Sequence, residues 1–411
     1  MNAPSSSNLL RGMWRGLGDV WRCRDSEPHR IFFAAGVTGV IFMSLWWAGA
    51  LGFNAVTAYP ATMVHAVLMP LGVFPLFMMG FIFTAGPRWL QTSPPRRHGL
   101  LAPLYLLGLV LALPGFTLGA PWPAPGLTLM LVSWFAATAL WASCVRRSEV
   151  DDRRHAKRLL VVMLGGCLAL GVTLAWALFA RSAHGAAMWV WARQLSLWAF
   201  IVPVFLIVCH RMIPFFTHSA LPQVKAWRPF YLLDGWLLAC LVLALMAPAD
   251  VELPWSRLQA MTAFAMAVAL ALASWRWNLY AATANRLLFM LHLSFAWLPL
   301  ALGLHALALS GVAVGSAPSH ALALGFCATM LVAFVTRVSL GHSGRALVAD
   351  RGYWAIYLAL HVVAALRVLI ALAGLSLAWL HAVSGLWVLL MVAWAARVLP
   401  IYWRGRIPKP A

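Results

Sequence analysis

Charged residues are scarce in this sequence. Asp, Glu, Lys and Arg make up 10% of its 411 residues, whereas hydrophobic residues make up 63%. A typical globular protein has about 25% charged and roughly 45–50% apolar residues. Because so few charges cannot cover a water-exposed surface, the composition excludes an ordinary cytosolic enzyme and a disordered chain. A mean hydropathy of +0.84 agrees with the class that remains, an integral membrane protein.

The sequence also lacks the motifs of soluble metalloenzymes and nucleotide-binding enzymes. Its six cysteines form no C-x-x-C pair and no C-x-x-C-H, which excludes covalent c-type haem attachment and leaves a thiolate zinc site without support. It contains no glycine-rich phosphate loop, no H-E-x-x-H and no nucleophile elbow. The chemistry of soluble enzymes is therefore not expected. The cysteines are Cys23, Cys144, Cys167, Cys209, Cys240 and Cys327.

Twelve apolar runs are long enough to cross a bilayer as helices, which needs about 20 residues each. The predicted spans are 31–51, 62–84, 100–120, 126–145, 157–180, 185–209, 229–247, 257–275, 287–309, 319–340, 353–373 and 378–400. The predicted fold class is thus all-α, a polytopic membrane bundle of about twelve transmembrane helices over residues 31–400. Residues 1–30 and 401–411 are predicted to be cytoplasmic tails.

Basic residues cluster in alternate connections between these spans. They lie in both tails and in every second connection, whereas the other connections hold almost none apart from Arg181 and Arg257. Because basic loops are retained on the cytoplasmic side, the alternation predicts that both termini face the cytoplasm. The formal net charge of +20 then indicates attraction to anionic lipid rather than to nucleic acid.

The sequence has 13 histidines against 10 carboxylates. Counted from the helix ends, four of them lie at one level, near the ends that face away from the basic connections. We call these four the outer group: His65, His305, His320 and His381. Imidazole is a natural ligand of haem iron and of copper, so the outer group predicts b-type haem ligation. The alternative is that each histidine caps carbonyls or meets headgroup water.

Two arginines are predicted at a similar depth, Arg193 in the sixth helix and Arg367 in the eleventh. Neither has an acidic neighbour at its depth, and an isolated guanidinium in lipid is costly. Haem propionates would suit them as bidentate anionic partners. The alternative is that each side chain extends to the outer interface.

A second polar set is predicted at the opposite end, which we call the basic end of the bundle. It comprises Arg211, Arg337, His342 and Arg345, with His292 and His210 nearby. Two interpretations stay open: a clamp that holds helix ends, or a second haem or copper site using His342. Asp234 is the one carboxylate predicted to be buried near this level, and Arg211 or Arg337 is its predicted partner, because a buried unpaired carboxylate costs several kcal/mol.

The sequence thus yields one set of candidate site residues. The candidate cofactor-binding residues are His65, His305, His320, His381, His292, His342, Arg193, Arg367, Arg337 and Arg345. The candidate metal ligands among them are His65, His305, His320 and His342.

Several of these residues lie in motifs that resemble those of the NnrS family. The "LH-x-x-x-x-W" helix of that family is similar to Leu291–Ala301, and its "H-A-L-x-x-G … R-x-x-L-G-H-x-G-R" is similar to His320–Gly325 and Thr336–Arg345. Further counterparts are Gly80–Trp89, Arg211–Thr217 and Val363–Leu369. The matches occur in the family's order from about residue 29 to 406.

The resemblance implies a twelve-helix protein of the bacterial inner membrane that carries haem and copper and acts in nitric oxide metabolism or defence. It implies no defined reaction, and so leaves open whether the protein is an enzyme. One motif departs from the family. Where relatives often have "W-H-A-H-E-M", this chain keeps His65 but has Val67 and Leu68 in place of the second histidine and the glutamate. The departure weakens the expectation of copper more than that of haem b.

Two other functions are alternatives to a haem protein of the nitric oxide response. A secondary transporter would also have twelve helices, but proton coupling usually needs intramembrane carboxylates, and Asp234 is the one predicted here. A haem–copper oxidase core needs adjacent histidines at a binuclear centre, and the sequence has no His-His pair. The expected partners are therefore membrane lipid, haem and nitric oxide or a related small molecule.

Overall fold

The computed structural model describes residues 18–22, 26–52, 57–119, 123–245, 253–404 and 406–407, and in those ranges it contains helices and turns but no strand. We number the long helices in chain order. They are α1 Pro28–Gly52, α2 Ala61–Leu90, α3 Leu101–Leu118, α4 Pro123–Arg147, α5 Arg154–Phe179, α6 Gly185–Ala220, α7 Phe230–Leu245, α8 Leu253–Arg276, α9 Arg286–Leu309, α10 Ala317–His342, α11 Arg351–Ala373 and α12 Leu377–Arg404.

Eleven of these helices are long and apolar enough to cross a membrane, counted over the described ranges. The remaining one, α7, is apolar but has 16 residues between its described ends. The chain is therefore a polytopic, all-helical membrane protein as predicted, while the count of twelve spans stays a prediction. Several helices extend beyond their predicted spans, because hydropathy marks the part in hydrocarbon and a helix continues into the headgroup region.

Three helices form the centre of the bundle. Helices α2, α6 and α10 are 89%, 72% and 78% buried over their most apolar stretch, against 39–56% for the other eight spans. Consecutive helices pack side by side, and α12 packs back against α1, so the chain closes on itself. In chain order, the central helices are the second, the sixth and the tenth. Residues on them are therefore the best shielded from lipid.

Two central helices contain π-helical segments, Leu195–Ile201 in α6 and Ala321–Ala328 in α10. Such wide turns are rare and often occur at functional sites. The segment in α6 begins two residues after Arg193, and the segment in α10 begins directly after His320. Both segments thus adjoin candidate site residues near the same end of the bundle.

Buried tryptophans connect neighbouring helices through their indole N–H groups. Trp387 Nε1 donates to Ser44 Oγ at 2.8 Å between α12 and α1. Trp134 Nε1 donates to the Met163 carbonyl at 2.9 Å between α4 and α5. An indole N–H that found no acceptor would be costly in a membrane interior. These bonds therefore help to fix which helices are neighbours.

Reporter fusions test the predicted orientation. Alkaline phosphatase, which is active outside the cytoplasm, is expected to be inactive when fused after residue 150 and active when fused after residue 252. The reason is that the first position lies in a basic connection and the second does not. Matching activities at the two positions would contradict the predicted arrangement of spans.

Candidate functional site

Two members of the outer group belong to central helices. His65 lies in the first turns of α2, within electrostatic range of His320 of α10 and of Arg367 of α11. The His65 ring stacks on Trp47 of α1, with ring centroids 4.0 Å apart and an interplanar angle of 23°. Its Nδ1 atom is buried and has no hydrogen-bond partner among the described residues. We call His65 and His320 the outer imidazole pair.

The tautomer of His320 follows from its acceptor. Its Nδ1 lies 2.9 Å from the Ser316 carbonyl, and because a carbonyl can only accept, Nδ1 carries the proton. A neutral His320 therefore has its lone pair on Nε2. This arrangement, with one nitrogen bonded to a carbonyl and the other free to ligate, is the one that metal-bound histidines usually adopt.

Arg367 reaches the same turn of the chain. Its guanidinium donates to Ser316 Oγ at 2.9 Å, so Ser316 contacts both Arg367 and His320. Arg367 forms no ion pair with a described carboxylate. A cationic group is thus held beside the outer imidazole pair without an anionic partner among the described residues, and its role in binding an anionic ligand stays a prediction.

A second part of the outer group lies between α6 and α9. His305 packs against Trp198 of the π-helical segment, with ring centroids 5.4 Å apart, and it interacts electrostatically with Arg193. The Arg193 guanidinium lies over Trp189, 5.2 Å from the ring centroid, and its Nε is buried without a partner in the described ranges. Trp189 Nε1 donates to the Met63 carbonyl at 3.1 Å, which connects this part to α2 near the outer imidazole pair.

His381 differs from the other three members. It is exposed, and its Nε2 donates to the Leu51 carbonyl at 3.0 Å, which connects α12 to the end of α1. This is the carbonyl-capping role that the sequence left open as an alternative. The outer group is therefore made of the outer imidazole pair, His305 with Arg193, and a separate His381.

At the basic end, His342 meets a histidine that the sequence reasoning missed. The rings of His342 and His29, in the first turn of α1, have centroids 5.0 Å apart. His29 is buried, and its Nδ1 has no hydrogen-bond partner among the described residues. Gly344 adopts a φ of +73°, and a Cβ atom there would overlap the Ile407 carbonyl oxygen. Ile407 N also donates to the Ser343 carbonyl at 2.9 Å, so the C-terminal segment is tied to the end of α10.

The surroundings of His29 and His342 are basic. Arg88 interacts electrostatically with both histidines, Arg30 with His29 and Arg406 with His342. Arg30 is neutralised by an ion pair with Glu27 at 2.9 Å, which leaves two positive charges near the rings. Because like charges repel a metal cation, these residues favour the clamp over a copper site.

The remaining candidates at this end are separated. His292 Nε2 donates to Thr217 Oγ1 at 2.9 Å, since the Thr217 hydroxyl donates to the Ile213 carbonyl. The Arg337 guanidinium lies over the Phe216 ring, 4.0 Å from its centroid. Arg345 lies beyond the end of α10. Partial burial is the main cause that lowers the pKa of its guanidinium. The backbone N–H of Arg345 donates to the Leu340 carbonyl. None of these contacts brings His292 to His342.

The prediction that Asp234 pairs with Arg211 or Arg337 is wrong. Asp234 forms a bidentate ion pair with Arg158 of α5, at 2.5 and 2.6 Å, rather than with Arg211 or Arg337. Its side chain is 51% exposed, so it is not a buried carboxylate. The face of α7 that carries Asp234 turns toward α5, which residue counting along the chain cannot reveal. Arg211 instead lies over the Trp89 ring, 4.6 Å from its centroid.

Two further histidine contacts were missed. His155 Nε2 donates to His210 Nδ1 at 3.0 Å, because His210 Nε2 donates to the Pro229 carbonyl at 3.1 Å. Near mid-depth, Trp297 Nε1 donates to His361 Nδ1 at 2.8 Å. His29 and His155 each adjoin an arginine at a helix start. The sequence could have indicated their burial, because both histidines fall in the first turn of a helix, where one face already packs inward.

The described residues offer pairs of imidazoles rather than larger sets of ligands. No three His, Cys, Asp or Glu side chains converge in the ranges that the structure describes. A haem iron takes its equatorial ligands from the porphyrin and needs one or two from the protein, so a pair is sufficient. A small-ion site built wholly from protein commonly needs three or four. The outer imidazole pair therefore fits haem better than a bare copper or zinc ion.

Replacing His342 by Ala is expected to lower the stability of the protein, by about 1–3 kcal/mol, because the change removes a ring packed against His29. Metal and haem per protein are expected to stay unchanged, since the basic surroundings disfavour a cation. Thermal unfolding and elemental analysis of the purified protein provide the two measurements.

His218→Ala is the matched control at the same end, since His218 is exposed and bonds to the Val224 carbonyl. A fall in metal content with His342→Ala but not with His218→Ala would contradict the interpretation that His342 only holds helix ends together.

The fold and these side chains define a class: a polytopic helical membrane protein whose outer imidazoles and arginines form no ion pair with a described carboxylate. The sequence model described as NnrS protein matches residues 25–406, nearly the whole chain. The chain therefore belongs to the NnrS family, and the resemblance seen in its motifs is confirmed. Membership fits a membrane protein of the nitric oxide response. No individually curated protein is detectably similar to the chain.

Proposed function

We propose that this protein is a haem b protein of the bacterial inner membrane that acts in the nitric oxide response. The observation that carries the proposal is the outer imidazole pair. His65 and His320 come from two of the three central helices and lie within electrostatic range of each other, and His320 presents a lone pair on Nε2. Family membership supports the nitric oxide response. The pair supports haem, because a haem iron needs one or two ligands from the protein and these two imidazoles, from separate helices, could supply them.

The residues around the pair fit a haem in other respects. The Nδ1 of His65 and the Nε of Arg193 are buried polar atoms without partners among the described residues, and a bound ligand would satisfy such atoms. Arg367 and Arg193 are the candidates to bind the propionates. Bound haem b would supply a redox-active iron, and nitric oxide could bind to it if one of the two imidazoles were displaced.

The protein's own groups hold this arrangement in place. The Ser316 carbonyl keeps the proton of His320 on Nδ1, so Nε2 stays available as a ligand. Trp47 stacks on His65 and restricts its ring orientation. Beyond the pair, α2 and α10 continue into the buried centre of the bundle, where a low dielectric strengthens electrostatic interactions.

Copper fits these residues less well. The described ranges hold no three-ligand cluster, and the two imidazoles at the basic end lie among arginines. The family's second histidine in α2 is replaced by Val67, which is fully buried in the apolar core. We therefore propose that the described residues bind haem b and do not form a copper centre.

The transporter alternative relied on Asp234 as an intramembrane carboxylate. Its ion pair with Arg158 and its exposed side chain are typical of a surface pair, which contributes about 0–1 kcal/mol. Such a carboxylate is poorly placed for proton coupling in the middle of the bilayer. The observation favours the haem protein over the transporter.

A paired experiment tests the proposed function. A strain lacking the protein is expected to grow normally until nitric oxide, or nitrite under low oxygen, is supplied, and then to grow poorly. The dithionite-reduced purified protein is expected to change its visible spectrum when nitric oxide is added. Normal growth under nitric oxide together with an unchanged spectrum would overturn the proposal.

A further inference from the structure

An apolar cavity lies at the centre of the bundle, between the three central helices. Its volume is ≈ 50 Å³. Residues of α2, α6 and α10 form most of its wall, and Phe33 of α1 completes it. Every lining side chain is apolar; Phe77, Val204, Val208 and Val335 are typical members. The cavity is thus a site that the outer and basic-end histidines do not account for.

The chemistry of this wall selects its occupant. A water-sized sphere needs about 10–15 Å³, and a bound water also needs two to four polar partners. The cavity is several times that size but offers no polar partner, so water gains nothing by entering it. Apolar cavities of this kind take up apolar guests such as xenon. An acyl chain or a sterol is far larger than ≈ 50 Å³.

The position of the cavity relates it to the candidate site. Along α2 its nearest lining residue is Phe74, nine residues from His65, or roughly 14 Å at 1.5 Å per residue. On the other side, Phe33 packs against His29, with ring centroids 6.2 Å apart. The cavity therefore lies in the membrane interior, between the outer imidazole pair and the basic end.

We infer that this cavity binds a small apolar gas molecule, with the size of a diatomic such as nitric oxide or dioxygen. Such gases dissolve in hydrocarbon, so the bilayer delivers them to a central apolar cavity without a polar path. The identity of the gas as nitric oxide rests on the proposed function. The binding of a small apolar gas rests on the volume and the wall alone.

Xenon is the probe, because it is apolar, of similar size and independent of haem. Xenon-129 NMR of the purified protein in detergent is expected to show one saturable site. Val335 is 3% exposed and lines the cavity. Val335→Phe is expected to abolish the saturable signal by filling the cavity, and Val335→Ala to strengthen it by enlarging the cavity.

The matched control is Val362→Phe on α11, where the side chain is 54% exposed toward lipid. It makes the same substitution in the same detergent and is expected to leave the xenon signal unchanged. If Val335→Phe does not insert, Val335→Leu is expected to weaken the signal in the same direction. A wild-type protein without a saturable xenon site, or equal signals in Val335→Ala and wild type, would overturn the inference.

Xenon binding and the nitric oxide spectrum distinguish the two proposals. Saturable xenon binding with no spectral response to nitric oxide would support the cavity and contradict the proposed function. A spectral response to nitric oxide without saturable xenon binding would support the proposed function and contradict gas binding in the cavity. If the protein shows both saturable xenon binding and a spectral response to nitric oxide, Val335→Phe is expected to slow the association of nitric oxide with the reduced protein relative to Val362→Phe.

Discussion

Replacing His320 by Ala is expected to remove or shift the Soret band of the purified protein, and replacing His65 by Ala to do the same. Loss of a group that merely orients a metal-binding histidine typically lowers affinity by about 10–100-fold, and loss of the ligand itself costs more. The two substitutions should act alike because one imidazole from each of α2 and α10 is proposed to hold the haem. Absorbance per protein after purification measures the effect.

His381→Ala is the matched control for these variants. His381 was predicted at the same level, but it is exposed and its Nε2 donates to the Leu51 carbonyl. Its replacement is expected to leave the Soret band unchanged. Unchanged spectra in both the His320 and the His65 variants, with normal membrane insertion, would refute the assignment of the outer imidazole pair.

Gly325→Val is expected to destabilise the protein by about 1–3 kcal/mol through overpacking. Gly325 lies in the π-helical segment of α10, and a Cβ atom there would overlap the Trp297 ring. The atoms met are at the rigid base of the indole, so the ring has to move as a whole. Its hydrogen bond to His361 is expected to break, because that bond depends on the present ring position. Thermal unfolding measures the loss.

Gly303→Val on α9 is the control for Gly325→Val, because a Cβ at Gly303 meets no atom within 4 Å. A double variant, Gly325→Val with Trp297→Ala, is expected to cost less than the sum of its single changes, since removing the ring removes the clash. Equal losses for Gly325→Val and Gly303→Val would contradict the close contact between α9 and α10.

Much of the fold could be predicted from the sequence. Long apolar runs mark the spans, because the bilayer requires a fixed helix length and internal hydrogen bonding of the backbone. The motif from Thr336 to Arg345 was specific enough to indicate the family, which the match over residues 25–406 confirms. The orientation of the bundle was predicted from the arginine pattern and is tested by the reporter fusions.

The candidate site could be predicted less completely. Counting residues gives the height of a side chain along its helix but not the direction in which it points around the axis. His65, His305, His320 and His381 were predicted at one level, yet His305 interacts with Arg193 and His381 bonds to the Leu51 carbonyl. Directions around the axis depend on how helices pack, which one sequence does not specify.

The same reasoning explains the missed partners. Asp234 pairs with Arg158 across two helices that are adjacent in space but separated along the chain. His29 and His155 are buried although each adjoins an arginine. A helix start can expose one residue and bury the next, because successive side chains differ by about 100° around the axis.

The central claim is that the outer imidazole pair binds haem b. The visible spectrum of the purified wild-type protein, before and after reduction with dithionite, tests it most directly. We expect a Soret band that sharpens and shifts on reduction, with α and β bands of a b-type haem, and we expect His320→Ala to lose them. A wild-type protein that is purified folded from haem-replete cells and remains colourless in both states would contradict the account.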